Sequence, residues 1–301
     1  MALSKLSGDE PGIVFSQLCN VLDPRVAVYF SITSSELWAL TQVQRQQLRA
    51  DHEVAAALSR KMGMRSCKEL REAKEVYCHC MHLSAADLAF LGTLGLVLPA
   101  LKDLRLHHYS GADGPDGVQR LAEGLGAGAL PAVTRFQLIG LHVGDAGASA
   151  LVATLGRGAL PRLSFLSLTN AAIGDAALVA LAPALRRLPA LESLILMDNP
   201  FGNEGLAALV APLPPAGAPP LPTGGLKKLT WLDLEYTHVT DAGCAALAAA
   251  LDSGALPALE TLDLGEIPAS AAAKAAVYAA RANLGGDERE DGESEDEEEG
   301  S

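Results

Sequence analysis

The chain has 301 residues, 49% of them apolar and only 4% aromatic, with a formal net charge of −13. That length can bury a sizeable core, and the aliphatic bias suits thin repeated layers. The acidic balance excludes a general nucleic-acid binder, which needs a basic footprint. The charge is uneven: residues 287–299 hold ten acids against Arg289, so this run carries −9 and the rest of the chain −4.

Residues 1–12 have one lysine and no apolar stretch, which reads as a disordered start and not as a secretory leader. The longest apolar run, at 88–101, is about 14 residues long and is broken by glycine and proline, whereas a bilayer span needs about 20. Five cysteines at 19, 67, 78, 80 and 244 do not have the spacing of a disulfide framework and read as reduced thiols. A location in the cytosol or nucleus is expected.

Residues 13–69 do not repeat and read as a helical cap. Val14, Phe15, Leu18, Val21 and Leu22 suit one short helix, and Asp23-Pro24 starts a second. Ser34 or Ser35 can cap a third past Trp38, and a longer helix runs from Thr41 to Met62, ending at Gly63. A solenoid needs such an end unit to cover its first layer. The string VFSQLCNVLDPRVAVYFSITSSELWAL also resembles an F-box, on the spacing from Phe15 and Leu18 to Leu22-Asp23-Pro24, then Val26, Phe30, Ile32 and Trp38. Asp9-Glu10-Pro11-Gly12 stands where that family opens with Leu-Pro and an acid. The resemblance implies docking to the Skp-type adaptor of a cullin ubiquitin ligase, through Phe15, Leu18, Leu22, Asp23 and Pro24. F-box followed by leucine-rich repeats is an arrangement of that family.

From 98 to 284 one phrase recurs six times: LPxLxxLxL, a polar turn, then GDxGxxAL and an Ala/Leu-rich run. It begins at Leu98, Leu130, Leu160, Leu188, Leu226 and Leu256, at intervals of 32, 30, 28, 38 and 30 residues. A period in this range marks a solenoid. In the unit at 160–187, Leu163, Leu166 and Leu168 point inward, with Phe165, Ser167 and Thr169 between them pointing out, the period of a strand. Asp175 is placed to cap the helix that follows, whose Leu178, Leu181 and Leu185 face the strand. A degenerate seventh unit is expected from Leu70, with Val76 and Cys78 in the strand. Parallel strands are predicted near 104–106, 136–138, 166–168, 194–196, 232–234 and 262–264.

A full helix in each unit of 28 to 30 residues resembles the ribonuclease-inhibitor subclass of leucine-rich repeats. The resemblance implies an α/β solenoid with a curved parallel sheet and helices on its convex side, over 70–284. The asparagine usual after LxLxx stands only at Asn199; Tyr109, Leu141, Ala171, Thr237 and Ile267 take its place elsewhere. The long interval reflects 211–225, where six prolines forbid a helix and predict a bulging loop. Residues 285–301 are too acidic to pack and read as a disordered tail. Ser294 within it has the context acidophilic kinases accept. Acidic tails also follow the repeats of Ran GTPase-activating proteins and of acidic nuclear phosphoproteins, which makes a GTPase activator or an acidic-tailed scaffold the competing readings.

No GxxxxGK[ST], HExxH, GxSxG or paired CxxC is present, so no catalytic residue, cofactor or metal is expected. Gly124, Gly126 and Gly128 follow a helix and read as turns, not as a phosphate cradle. In Tyr77-Cys78-His79-Cys80-Met81-His82 a strand scatters the metal-type side chains, although His79 and His107 fall side by side in adjacent units. A solenoid's usual product is a surface, so a protein partner is expected on the strand face. The outward columns supply Arg105, His107, Arg135, Phe165, Ile195, Met197, Trp231, Asp233, Glu235 and Tyr236. Early units lean basic and late ones acidic, with an apolar patch between.

Overall fold

The computed structural model describes residues 10–79, 83–108, 116–211, 226–281 and 284–285, and among these stand twelve α-helices, one 3-10 turn (Leu94–Leu96) and seven strands. The chain opens with α1 (Glu10–Leu18), α2 (Arg25–Ser31), α3 (Ser35–Leu40), α4 (Gln42–Lys61) and α5 (Cys67–Glu72). Strand and helix then alternate: β1 (Glu75–His79), α6 (Ala85–Thr93), β2 (Asp103–His107), α7 (Gly117–Gly124), β3 (Arg135–Ile139) and α8 (Gly144–Gly156). The series continues with β4 (Phe165–Ser167), α9 (Asp175–Leu185), β5 (Ser193–Ile195), α10 (Asn203–Val210), β6 (Trp231–Asp233), α11 (Asp241–Asp252), β7 (Thr261–Asp263) and α12 (Ala271–Ala279). All seven strands pair in parallel and in chain order, while consecutive helices from α6 to α12 pack side by side. This is the leucine-rich-repeat solenoid the periodicity predicts, degenerate first unit included.

The strand register explains the core. Leu104, Phe136, Leu166, Leu194, Leu232 and Leu262 are Cα partners in turn, and each is buried. The leucines two positions on, from Leu106 to Leu264, form a second buried column. Each layer is shared by two neighbours, and each leucine contributes about 1.5–3 kcal/mol by burial. Leu178, Leu181 and Leu185 close the same core from the helix side.

The outward column differs from the reading above. Ser167, Ile195, Asp233 and Asp263 point away from the core, yet they are 3%, 7%, 2% and 3% exposed. In a parallel sheet with strands about 4.8 Å apart, flanking side chains in the next units cover a short outward side chain. Within its own unit, Ser167 also shares a hydrogen bond with Thr169 Oγ1 (2.9 Å).

Helix starts are built in two ways. Ser84 opens α6 with a capping box: its hydroxyl accepts from the Asp87 N–H and the Asp87 carboxylate accepts from the Ser84 N–H. At α10 and α11 a side chain of the preceding unit takes the N–H groups at the helix start, whereas α12 is capped by its own Ser270, whose hydroxyl accepts from Ala273 N–H. Asp175 makes no cap within α9; its Oδ1 accepts from the N–H groups of Gly202 (2.9 Å) and Gly205 (2.6 Å) at the start of α10. Asn203 Oδ1 accepts from Thr240 N–H (3.0 Å) ahead of α11, and the Asp241 carboxylate accepts from Ser270 N–H and Oγ–H ahead of α12. Those Ser270 donors hold the Asp241 carboxyl below the usual carboxylate range. The GD step is therefore a staple between units.

Asn199 is a second staple. It is 2% exposed, accepts from the N–H groups of Ala171 and Ile173, and donates to the carbonyls of Leu168, Leu196 and Met197. Its counterpart Thr237 makes one bond, to Leu234 O. Gly124 ends α7 where that helix meets α6; a Cβ there would stand 2.7 Å from Ala89 O.

Both ends depart from the expected boundaries. α1 already includes Glu10, Pro11 and Gly12, and α5, capped by Ser66, was not anticipated. Gly285, assigned above to the tail, pairs with the edge of β7: its N–H donates to Glu260 O and its carbonyl accepts from Leu262 N–H. The proline-rich segment 212–225, Cys80 to His82, Tyr109, Ser294 and 286–301 lie outside the described residues.

Candidate functional site: the strand face and the N-terminal module

On the strand face a line of contacts runs from β2 to β7. Asp103 on β2 accepts from Arg105 Nη2 (2.6 Å) and lies 3.7 Å from Arg135 Nε on β3. Asp103 raises the Arg105 guanidinium above its ordinary range. The Arg135 guanidinium lies over the Phe165 ring, 4.2 Å from its centroid, a cation–π contact. Phe165 meets Trp231 edge to face, with centroids 6.4 Å apart and planes at 72°. The two rings come from β4 and β6; the residue between them on β5 is Ser193, small enough to let them touch. Trp231 Nε1–H then donates to the Asp263 carboxylate at 2.7 Å.

Of the ten residues expected on this face, Arg105, Arg135, Phe165 and Trp231 join this line. His107 sits two residues after Arg105 on β2, edge-on to the Tyr77 ring at 4.8 Å. His79 and His107 are Cα partners, as the register predicts. Met197 and Glu235 are half-buried, and Tyr236 is 51% exposed in a left-handed conformation (φ +54°). Ile195 and Asp233 are corrected: both are buried, so neither offers an open contact, and Asp233 Oδ1 accepts from Glu235 N–H (3.0 Å). Asp103 and Asp263 were missed, though the same strand columns contain them. The missing signal was that an arginine and a tryptophan in adjacent columns each need a partner.

The N-terminal module has its own small core of Phe15, Ala27, Phe30, Leu37 and Leu48, with Leu18 packed against it. Leu22 is 3% exposed and belongs to the main core. Asp23 accepts from Arg25 (Nε, 2.6 Å) and from Arg71 Nη1 (2.9 Å), which ties the module to α5. Pro24 is the residue before α2. The five residues expected to touch an adaptor therefore build and anchor the module; Phe15 and Leu22 are closed to a partner because their side chains are in cores.

What the module exposes is different. Nine of the thirteen large apolar side chains exposed among the described residues lie between Ile13 and Val54. They include Tyr29 at 64%, Ile32 at 58%, Trp38 at 47% and Val43 at 74%. The Arg45 guanidinium carbon lies 3.1 Å from the Trp38 ring centroid and fixes that ring. A concentration of this kind is uncommon on a surface meant only for water.

Arg25 hydrogen-bonding, with the nearby Arg25 and Arg71 charges, lowers the Asp23 carboxyl to about 2. In the unfolded chain an aspartate titrates near 3.9. A depressed folded value means stability that is present above about pH 4 and lost as pH falls from about 4 towards 2. Asp23→Asn is thus expected to melt below the parent at pH 5, with the gap closing by pH 2.5. A gap that is the same at both pH values would mean that the charge on Asp23 does not hold the module.

Among the described residues no group of three or more His, Cys, Asp and Glu is placed to hold a metal ion. No described helix is long and apolar enough to cross a membrane. Cys19, Cys67 and Cys244 are free thiols.

A family model described as "Leucine Rich repeat" matches residues 188–210 and 225–248. No curated protein matches the chain. Among solved structures, internalin C2 of Listeria monocytogenes is similar at 18% identity over 77% of this chain and 80% of that one, with a TM-score of 0.41. A second internalin of that bacterium, inlF, is 11% identical over 77% and 86% of the two chains, with a TM-score of 0.21.

Proposed function

We propose that this leucine-rich-repeat protein joins two proteins without catalysing a reaction: a partner on the strand face, and the Skp-type adaptor of a cullin ubiquitin ligase on the N-terminal module. The observation that carries the reading is the concentration of exposed apolar side chains on α2, α3 and the start of α4, where the F-box resemblance lies. Docking runs through Tyr29, Ile32, Trp38 and Val43, and not through the buried Phe15 and Leu22. The line from Asp103 through Phe165 to Asp263 supplies the second surface, its tryptophan already held by Asp263, so little side-chain freedom is lost on binding.

Calorimetric titration of the full chain with a purified Skp-type adaptor tests the first half. Binding is expected, with Tyr29→Ala/Trp38→Ala weaker by at least about tenfold, roughly 1.4 kcal/mol, and with unchanged circular dichroism. An adaptor that does not bind the parent chain overturns the ligase reading; binding of a small GTPase by the same chain would put the activator reading in its place. The strand face is tested in parallel. A protein co-purifying with the tagged chain through this face is expected to lose at least about tenfold in affinity on Trp231→Ala, since aromatic anchors carry a large share of interface energy. Adaptor binding should be unaffected by that change.

A further inference from the structure

Where the module meets α5 there is a cleft of about 490 Å³ lined by Arg25, Arg65, Lys68 and Arg71, with Asp23 and Glu72 as its acids. Four cations against two anions make it net positive in a chain of net charge −13. Asp23 accepts from Nε and Nη2 of Arg25 and from Nη1 of Arg71, and the two arginine side chains stay 70% and 40% exposed. Arg65 and Lys68 are exposed at the mouth, with Lys68 3.9 Å from Glu72. Asp23 thus pre-orients two guanidinium groups while leaving donors for a further carboxylate.

We propose that this cleft takes an acidic segment, and that the occupant is the chain's own run 287–299. Charge complementarity is the first argument: the run carries −9. Reach is the second. Gly285 sits on the edge of β7, and Arg71 lies just before β1. Six inter-strand steps of about 4.8 Å, plus about 10 Å beyond β1, make roughly 40 Å. Ten to fourteen extended residues cover about 34–48 Å, which brings the acids at 295–299 to the cleft. The contact is electrostatic and mostly exposed, so it weakens as salt rises. It does not depend on adaptor docking, because the cleft is not built from the exposed apolar residues of α2 and α3.

Carbodiimide cross-linking of the full chain, read by peptide mass spectrometry, tests the proposal. This reagent joins an amine directly to a carboxylate it touches. The comparison lysine is Lys102, exposed just before β2 and so one strand nearer the tail but outside the cleft. At low salt, amide links from 295–299 to Lys68 in monomeric protein are expected to exceed those to Lys102 at least about fivefold. Arg65→Glu, or 0.5 M salt, is expected to cut the Lys68 links by a similar factor. Links to Lys68 no more frequent than to Lys102, or unchanged in Arg65→Glu, would overturn the assignment. Links confined to covalent dimers would overturn docking within one chain.

Discussion

Gly140→Ala is expected to destabilise the protein by about 3 kcal/mol or more, well beyond the usual effect of adding one methyl group. Two features meet at this residue. Its φ is +68°, in the left-handed region, and a Cβ built there would collide with the carbonyl oxygen of His108 in the preceding unit. The equivalent residues in the next four units separate the two causes. Asn170, Asp198, Tyr236 and Glu266 all have φ between +48° and +57°, and none is glycine. Left-handed backbone costs each of them about 1–2 kcal/mol, and the fold tolerates it. What requires glycine at 140 is the neighbouring carbonyl, which is backbone in a unit already tied to this one by the His108 N–H bond to Ile139 O (2.8 Å). Glu266→Gly is the companion variant: it relieves the same conformation without a clash and should leave stability level or raise it by up to about 1 kcal/mol. Urea denaturation of both decides the matter, and a Gly140→Ala midpoint equal to the parent's would show that the two units yield.

The second large effect is expected at Asn199. Alanine there strands the N–H groups of Ala171 and Ile173 and the carbonyls of Leu168 and Leu196 in a buried layer. Each buried group left without a partner costs about 1–3 kcal/mol. Partial relaxation keeps the expected total for Asn199→Ala near 3 kcal/mol. Thr237→Val, at the equivalent place one unit later, removes one hydrogen bond in a nearly isosteric change and should cost about 1 kcal/mol. Similar losses at the two sites would mean that Asn199 is a packing residue, and that neighbouring units do not depend on its amide.

The strand face shows where reading by period works and where it stops. Alternation along 163–169 names the inward leucines and the outward Phe165, Ser167 and Thr169, and the structure agrees on direction. Direction is not exposure. Ser167, Ile195 and Asp233 point out and are nevertheless covered, because the strands of neighbouring units stand only about 4.8 Å apart and those neighbours are distant in sequence. A separation of two units, 66 residues, hides the Phe165–Trp231 contact, which depends on a small Ser193 between them. In the module, the spacing of LDPR placed the turn into α2 correctly, but a string cannot say which of its apolar residues face a core. Phe15, Leu22 and Phe30 do; Tyr29, Ile32 and Trp38 do not.

The sequence by itself determined the solenoid, the number and positions of its strands, the helix in each unit, and the helical cap before them. These follow from local periodicities of two and about 3.6 residues, repeated often enough to be unambiguous. Only the tertiary structure decided what each polar residue does. Asp175 is a suitable cap in sequence for the helix it begins, yet it serves the helix of the next unit. The physical reason is the lateral stacking of parallel units: it brings a carboxylate at the start of one helix closer to the unpaired N–H groups of its neighbour than to its own, and no pattern within a single repeat records that offset.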